Sequence, residues 1–200
     1  MTPDELDALT RRPEPGLHRT TITIEGVPTE TLADLPPRRD GLLFVGLNPS
    51  PVSVKAGHYH QGRIGMRFWR RLITAGILPA GTEIATADDA LVAAGHGITD
   101  LIKRPSPRDE ASDAELREGV GPLWQKVALW RPGAVVFVYK RAAEVAAGRA
   151  LQEPWGQLVG VALGGRPCFL MPGPYAPTEQ VDEGLNLLRN LAASLPVDRP

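Results

Sequence analysis

Two short stretches hold the residue types and spacings that could do chemistry. The first reads Gly46-Leu47-Asn48-Pro49-Ser50-Pro51, and after a short spacer Gly57-His58-Tyr59-His60-Gln61-Gly62. Asn48 precedes a proline, which restricts its backbone to extended conformations. A carboxamide fixed there could orient a water molecule or pair with the edge of a nucleobase, although asparagine before proline also makes plain turns. Its oxygen accepts a hydrogen bond from water, but an amide takes up no proton near neutral pH, so in a hydrolysis it can only orient. The second stretch is Gly97-Ile98-Thr99-Asp100-Leu101-Ile102-Lys103-Arg104-Pro105. As a carboxylate, Asp100 has the capacity of a general base, a role worth ~10²- to 10⁴-fold. At helical spacing it could equally be a surface group paired with Lys103 or Arg104.

Other chemistries are excluded or read as structural. The first loop lacks the Gly-Lys-Ser/Thr ending of a phosphate-binding P-loop, and its glycines lack the spacing of a dinucleotide fingerprint. Cys168 is the single cysteine, so no disulfide framework or four-cysteine cluster is possible. No spacing among the four histidines suggests metal ligands, and neither metal nor cofactor is expected. His58 reads as a loop brace, and His18 and His96 as surface residues. Trp124, Trp130 and Trp155 read as packing residues.

The elements that must position these loops follow from apolar patterning. Leu42-Leu43-Phe44-Val45 and Ala134-Val135-Val136-Phe137-Val138 are continuous apolar runs, the mark of strands buried on both faces. Shorter strands are expected at 158–163 and 167–171, with 97–102 as a strand or strand end and 20–25 as an alternating strand. Phe68, Trp69, Leu72, Ile73 and Ile77 share a helical face that stops near Gly76 and Pro79. Ser112 and Glu115 form a capping-box pair opening a helix with Leu116, Val120, Leu123, Trp124 and Val127 on one stripe. Pro122 should kink or restart that helix. A last helix follows Thr178, with Val181, Leu185, Leu188 and Ala192 facing inward. Strands alternating with amphipathic helices imply an α/β fold, a three-layer α/β/α sandwich on a mainly parallel sheet of four to five strands. Ligands in such sheets sit at the carboxyl ends of the strands, where both chemical stretches begin.

Two hundred residues suffice for one self-supporting domain. Residues 1–40, rich in proline and charge, read as an N-terminal arm or extension, and 41–195 as the α/β domain. The start, residues 1–12, has no signal-peptide character, and no apolar run reaches membrane-spanning length, so a soluble, intracellular protein is expected. A net charge of −1 argues against coating nucleic acid over the whole surface but leaves room for a local basic groove. Basic residues cluster at Arg63, Arg67, Arg70 and Arg71, at Lys103, Arg104 and Arg108, and at Lys140 and Arg141. Solvated helix faces give the same pattern.

The stretch 46–69 resembles the first motif of the mismatch-specific uracil and thymine DNA glycosylases, a branch of the uracil-DNA glycosylase superfamily. That motif is a strand, Gly-Ile-Asn-Pro-Gly, a spacer, Gly-His-His-Tyr, glycines, and a helix opening with Phe-Trp. Gly46, Asn48, Pro49, Gly57, His58, Phe68 and Trp69 match it in order. The 97–105 block and the strand from Arg131-Pro132 to Lys140 with its exit are similar too, so the likeness covers about 150 residues. Two features depart from it: Met66 replaces a usual asparagine, with one extra residue between Gly57 and Phe68, and the late motif reads Met171-Pro172-Gly173-Pro174-Tyr175-Ala176-Pro177.

The resemblance implies an enzyme that flips a deaminated base from DNA and hydrolyses its N-glycosidic bond, starting base-excision repair. Uracil, as in a G·U mismatch, is the expected base; hypoxanthine or xanthine is an alternative, as is a DNA-binding protein without turnover. Asn48 would position the attacking water and Asp100 would act as a catalytic acid group in a monofunctional reaction. Gly46, Leu47, Gly57, His58, Tyr59 and His60 would hold the base, with Tyr59 favoured over His60 as the stacking face. Lys103, Arg104, Ser106, Lys140 and Arg141 would meet DNA. Gly173 would approach the duplex, and Tyr175 would either wedge into it or sit in a rigid proline turn. DNA is the expected partner, the protein a monomer, cytoplasmic or nucleoid-associated.

Overall fold

The computed structural model describes residues 15–107, 110–152, 154–174, 176 and 178–196. Arg108 and Tyr175, singled out above, lie outside this set. The chain opens with a hairpin of β1 (Arg19–Ile24) and β2 (Val27–Leu32). The central strands are β3 (Leu42–Gly46), β4 (Gly97–Asp100), β5 (Ala134–Phe137), β6 (Gly156–Leu163) and β7 (Arg166–Leu170). They form one sheet in the order β4-β3-β5-β7-β6, parallel except for β6 at the edge.

The continuous apolar runs follow from this architecture, because successive strand residues face opposite layers. Leu42, Phe44 and Val136 point into one core, and Leu43, Val45, Val135 and Phe137 into the other. The first core is closed by α1 (Pro51–Ala56), α2 (Gly62–Thr74), α3 (Ala87–Ala93) and α6 (Thr178–Ser194). The second is closed by α4 (Asp113–Trp130) and α5 (Lys140–Ala147). The fold is the expected three-layer α/β/α sandwich around a five-stranded, mostly parallel sheet. No helix among the described residues is long and apolar enough to cross a membrane.

Several local expectations need correction. Pro122 does not restart α4, which is one element from Asp113 to Trp130. It sits on the exposed side, where water can serve the carbonyl that lost its helical donor. Trp124 is 43% exposed rather than packed, because the buried stripe runs through Leu116, Leu123, Val127 and Trp130 and leaves position 124 at its margin. His18 and His96 are buried, not on the surface. Each has a specific partner that distant sequence cannot reveal. His18 Nε2 lies 2.8 Å from Asp89 Oδ1, and His96 Nδ1 accepts the Leu42 amide at 3.1 Å.

The chain before β3 reaches the carboxyl-end side of the sheet. Leu35 bridges Ile98 of β4 in antiparallel fashion, and the Thr31 hydroxyl donates to the Lys103 carbonyl at 2.7 Å. Residues 31–38 therefore cover the outer edge of β4.

Candidate active site

β3 and β4 are paired in register, with Gly46 opposite Asp100. The pairing continues past the strand ends. Leu101 N–H donates to the Gly46 carbonyl at 3.0 Å, Ile102 N–H to Leu47 at 3.1 Å, and Ser106 N–H to Pro49 at 3.2 Å. The two chemical loops thus leave the sheet as a coupled pair and hold Asn48 and Asp100 in a fixed relation. Both residues line one cavity of about 310 Å³, together with Tyr59, His60, Ser106 and Tyr139. That volume lies in the range of small-ligand pockets.

Each wall has a local cause. Ser50 caps α1 by accepting the Ser53 amide, Pro51 fills its first turn, and Gly57 ends it in the left-handed region at φ 77°. This short helix turns the chain back, so that the 58–61 segment returns beside Asn48. Gln61 N–H donates to Ser53 Oγ at 3.0 Å, fixing the return. The chain then enters α2, whose first-turn amides carry no side-chain cap from Gln61. Residues 62–65 line the cavity, so the positive end of α2 lies in its wall.

Asn48 is oriented by its donors. Its Nδ2 donates to Ser106 Oγ at 2.9 Å, to the Pro49 carbonyl at 3.2 Å and to the Ser106 carbonyl at 3.3 Å. Carbonyls accept only, so the amide nitrogen must face them. Oδ1 is left buried, with no hydrogen-bond partner among the described residues. Asp100 is 3% exposed and its Oδ1 packs against Gly46, where any side chain would collide with it. The two cations considered for it from sequence have partners of their own: Lys103 binds Asp34, and Arg104 binds Glu115 at 2.6 Å.

The two aromatics of the cavity wall differ in exposure. Tyr59 is 1% exposed, and its hydroxyl donates to the Ala33 carbonyl at 2.8 Å and receives Lys103 Nζ at 3.1 Å. Its backbone N–H donates to Asp88 at 2.8 Å, and its carbonyl accepts the Trp69 indole at 2.9 Å. Burial, then the charges of Asp100, Asp34 and Asp88, push its phenol pKa well up. His60 remains partly open in the cavity wall, its ring 4.3 Å from that of Phe68. Burial lowers its pKa to about 4, so it is neutral at neutral pH, and its Nε2 has no partner among the described residues. Its backbone is left-handed at φ 51°, and Gly65 leaves room for its carbonyl.

The remaining sequence candidates divide. Ser106 anchors the Asn48 amide, and Leu47 is buried with its carbonyl engaged. Gly57 and His58 are not cavity residues; His58 Nδ1 binds Asp88 at 2.8 Å, the bracing role expected of it. Lys103 points inward to Asp34, and Arg141 binds Asp113 at 2.7 Å and the Ala111 carbonyl at 2.7 Å. Lys140 is exposed near Glu144, and Gly173 is partly buried. Arg67 and Arg71 are taken up by carbonyls of the 172–176 loop. The donor atoms of His18, His58, Asp88 and Asp89 lie within 4.8 Å of one another. These are suitable donors for a divalent cation, but each histidine is already held by its own aspartate at 2.8 Å. The cluster therefore reads as a brace beneath Tyr59.

A family model for the uracil DNA glycosylase superfamily matches residues 33–180. The chain belongs to the uracil DNA glycosylase superfamily. The match takes in Asn48, Asp100 and the other cavity-lining residues except Leu32, and it starts at Ala33, whose carbonyl binds Tyr59. Superfamily membership supports a DNA glycosylase of base-excision repair with DNA as its substrate. Sequence reasoning missed Asp34 and Asp88 as residues that shape this glycosylase site. Asp88, fully buried in α3, shows only as one of two adjacent acids, Asp88 and Asp89.

Proposed function

We propose that this DNA glycosylase removes uracil, as in a G·U mismatch, and belongs to the mismatch-specific branch. The observation that carries the reading is the joint placement of the Asn48 carboxamide and the Asp100 carboxylate in one cavity wall. Asn48 Oδ1, the open acceptor, would receive a hydrogen bond from the attacking water. Asp100 would accept that water's proton as its oxygen bonds to the sugar carbon and the bond to the base breaks. The same carboxylate favours the positive charge that develops on the sugar. The departing base carries negative charge, which the first-turn amides of α2, without a side-chain cap from Gln61, would offset.

His60 is the better stacking candidate than Tyr59, because it is a partly open cavity residue while Tyr59 is sealed by its hydrogen bonds. Among the described residues no lysine lines the cavity, which supports attack by water in a monofunctional reaction. The test is a cleavage panel of end-labelled oligonucleotides carrying uracil, thymine, hypoxanthine or xanthine, single-stranded and duplex, opposite guanine or adenine. Strongest release of uracil opposite guanine, leaving an alkali-sensitive abasic site, is expected. Preference for another base would move the substrate assignment, and absence of any free base would end the enzymatic reading.

A further inference from the structure

Behind the cavity wall, one carboxylate and two ammonium groups share the protein interior. Asp34, on the segment joining β2 to β3, binds Lys103 Nζ and, at 2.7 Å, Lys126 Nζ of α4. It also accepts the Thr99 hydroxyl at 2.5 Å, and Lys126 donates to Thr99 Oγ1 at 3.0 Å. Thr99 is the chain neighbour of Asp100. The side chains of Asp34, Lys103 and Lys126 are 14%, 19% and 13% exposed, too little for water to carry their charges. Lys103 donates further to Tyr59 Oη and the Leu32 carbonyl, each at 3.1 Å.

The group is electrically coupled to Asp100. Burial lowers the Lys126 pKa, and Asp34 and Asp100 pull it back up, while Lys103 opposes them. Burial disfavours the Asp34 anion, and the two ammonium groups overcome this, holding its carboxyl below the ordinary carboxylate range. Asp34 and Asp100 thus act together on Lys126 and on the Tyr59 phenol.

We propose that Asp34 is a positioning residue for Asp100: by binding Lys103 and Lys126 it offsets their charge and leaves the Asp100 carboxylate basic enough to take a proton from water. This rests on the reading of Asp100 as the general base. A cation near a carboxylate stabilises its charged form and weakens it as a base. Lys126 is such a cation, since Asp100 acts on its charge, and Lys103 shares Asp34 with it. Without Asp34 their full charge would bear on Asp100, lowering its pKa away from the working pH and slowing proton transfer.

The sign of this effect separates it from a merely structural one. Asp34→Asn keeps the shape and removes an anion, so the acid limb of the rate should move to lower pH. Lys126→Met removes a cation, so the limb should move to higher pH. Displacements of about one pH unit are expected, with a roughly tenfold lower plateau for Asp34→Asn. Single-turnover cleavage of an end-labelled duplex with uracil opposite guanine, followed from about pH 5 to about pH 9, reads both. Shifts in opposite directions support the assignment; an unmoved limb, or both limbs moving the same way, overturns it. If Asp34→Asn does not fold, Lys126→Met decides alone, since only an upward shift agrees. Asp100→Asn is assayed beside them. Full activity there overturns the general-base reading itself. A large loss there, combined with unmoved limbs in the other variants, removes only the role of Asp34.

Discussion

Asp100 Oδ1 lies against the α-carbon of Gly46, in the space that a side chain at position 46 would occupy. Gly46 is not in the left-handed region, so room rather than backbone freedom demands glycine here. The same two residues are register partners on β3 and β4. A methyl group at position 46 must push the carboxylate away or spread the strands. Gly46→Ala is expected to lower the single-turnover rate by about 10²-fold, the scale of a displaced general base. A thermal melt should show a smaller loss of stability. Wild-type cleavage by this variant would mean that the Asp100 position is not critical.

Asn48 and Asp100 should differ in weight, because one can only orient water and the other can also accept its proton. Asp100→Asn is expected to slow cleavage by ~10²- to 10⁴-fold and Asn48→Ala by less. Ser106→Ala should cost least of the three, since it removes one of the three acceptors that hold the Asn48 amide. Rates of all three on one duplex substrate test the order. Small and equal effects would leave the cavity without its catalytic pair.

His96 gives the fold an acid-side weakness. Burial lowers its pKa from 6.5 to about 4, and its Nδ1 must stay unprotonated to accept the Leu42 amide. Between those two values the unfolded chain binds the proton and the folded chain does not, so stability rises with pH. The contribution is complete above about pH 6.5 and is lost as pH falls toward 4, by on the order of 3 kcal/mol. His96→Asn, whose amide oxygen can stand near the place of Nδ1, should flatten this slope. Urea unfolding at a series of pH values measures it, and an unchanged slope would assign the acid sensitivity elsewhere.

The sheet was legible from sequence because β3 and β5 are buried on both faces and so appear as unbroken apolar runs. The capping box that opens α4 was equally plain, since both partners lie within one turn. Short elements left no periodic signal: α1 has six residues and α3 seven, one of them the buried Asp88. The start of α2 was hidden because residues 62–67 lack an apolar face, although the structure begins the helix at Gly62. In the site, Asn48 and Asp100 could be singled out from their own neighbours. Asp34 could not, because its lysine partners lie 69 and 92 positions away and local charge patterns carry no trace of such pairs. How Tyr59 and His60 divide the cavity wall depends on the left-handed backbone at His60, which leaves no mark in the local sequence.

The loop before α6 is held by arginines that sequence patterning had grouped with a basic surface. Arg71 donates to the carbonyls of Pro172, at 2.7 Å, Gly173 and Ala176, and Arg67 to that of Pro174 at 3.2 Å. Both arginines belong to α2, whose first turn lines the cavity, so one rigid helix fixes the pocket and this loop together. If the loop enters duplex DNA, as the superfamily resemblance implies, its shape matters for opening a base pair but not for cutting an unpaired strand. Arg71→Met keeps the aliphatic stem and removes the donors. Duplex cleavage should fall about tenfold, a cost set by reordering the loop on binding, while single-stranded cleavage stays within about twofold. Single-turnover rates on matched uracil substrates measure the ratio. Equal losses on both would mean that Arg71 supports the pocket rather than duplex entry, because a distorted α2 would harm every substrate alike.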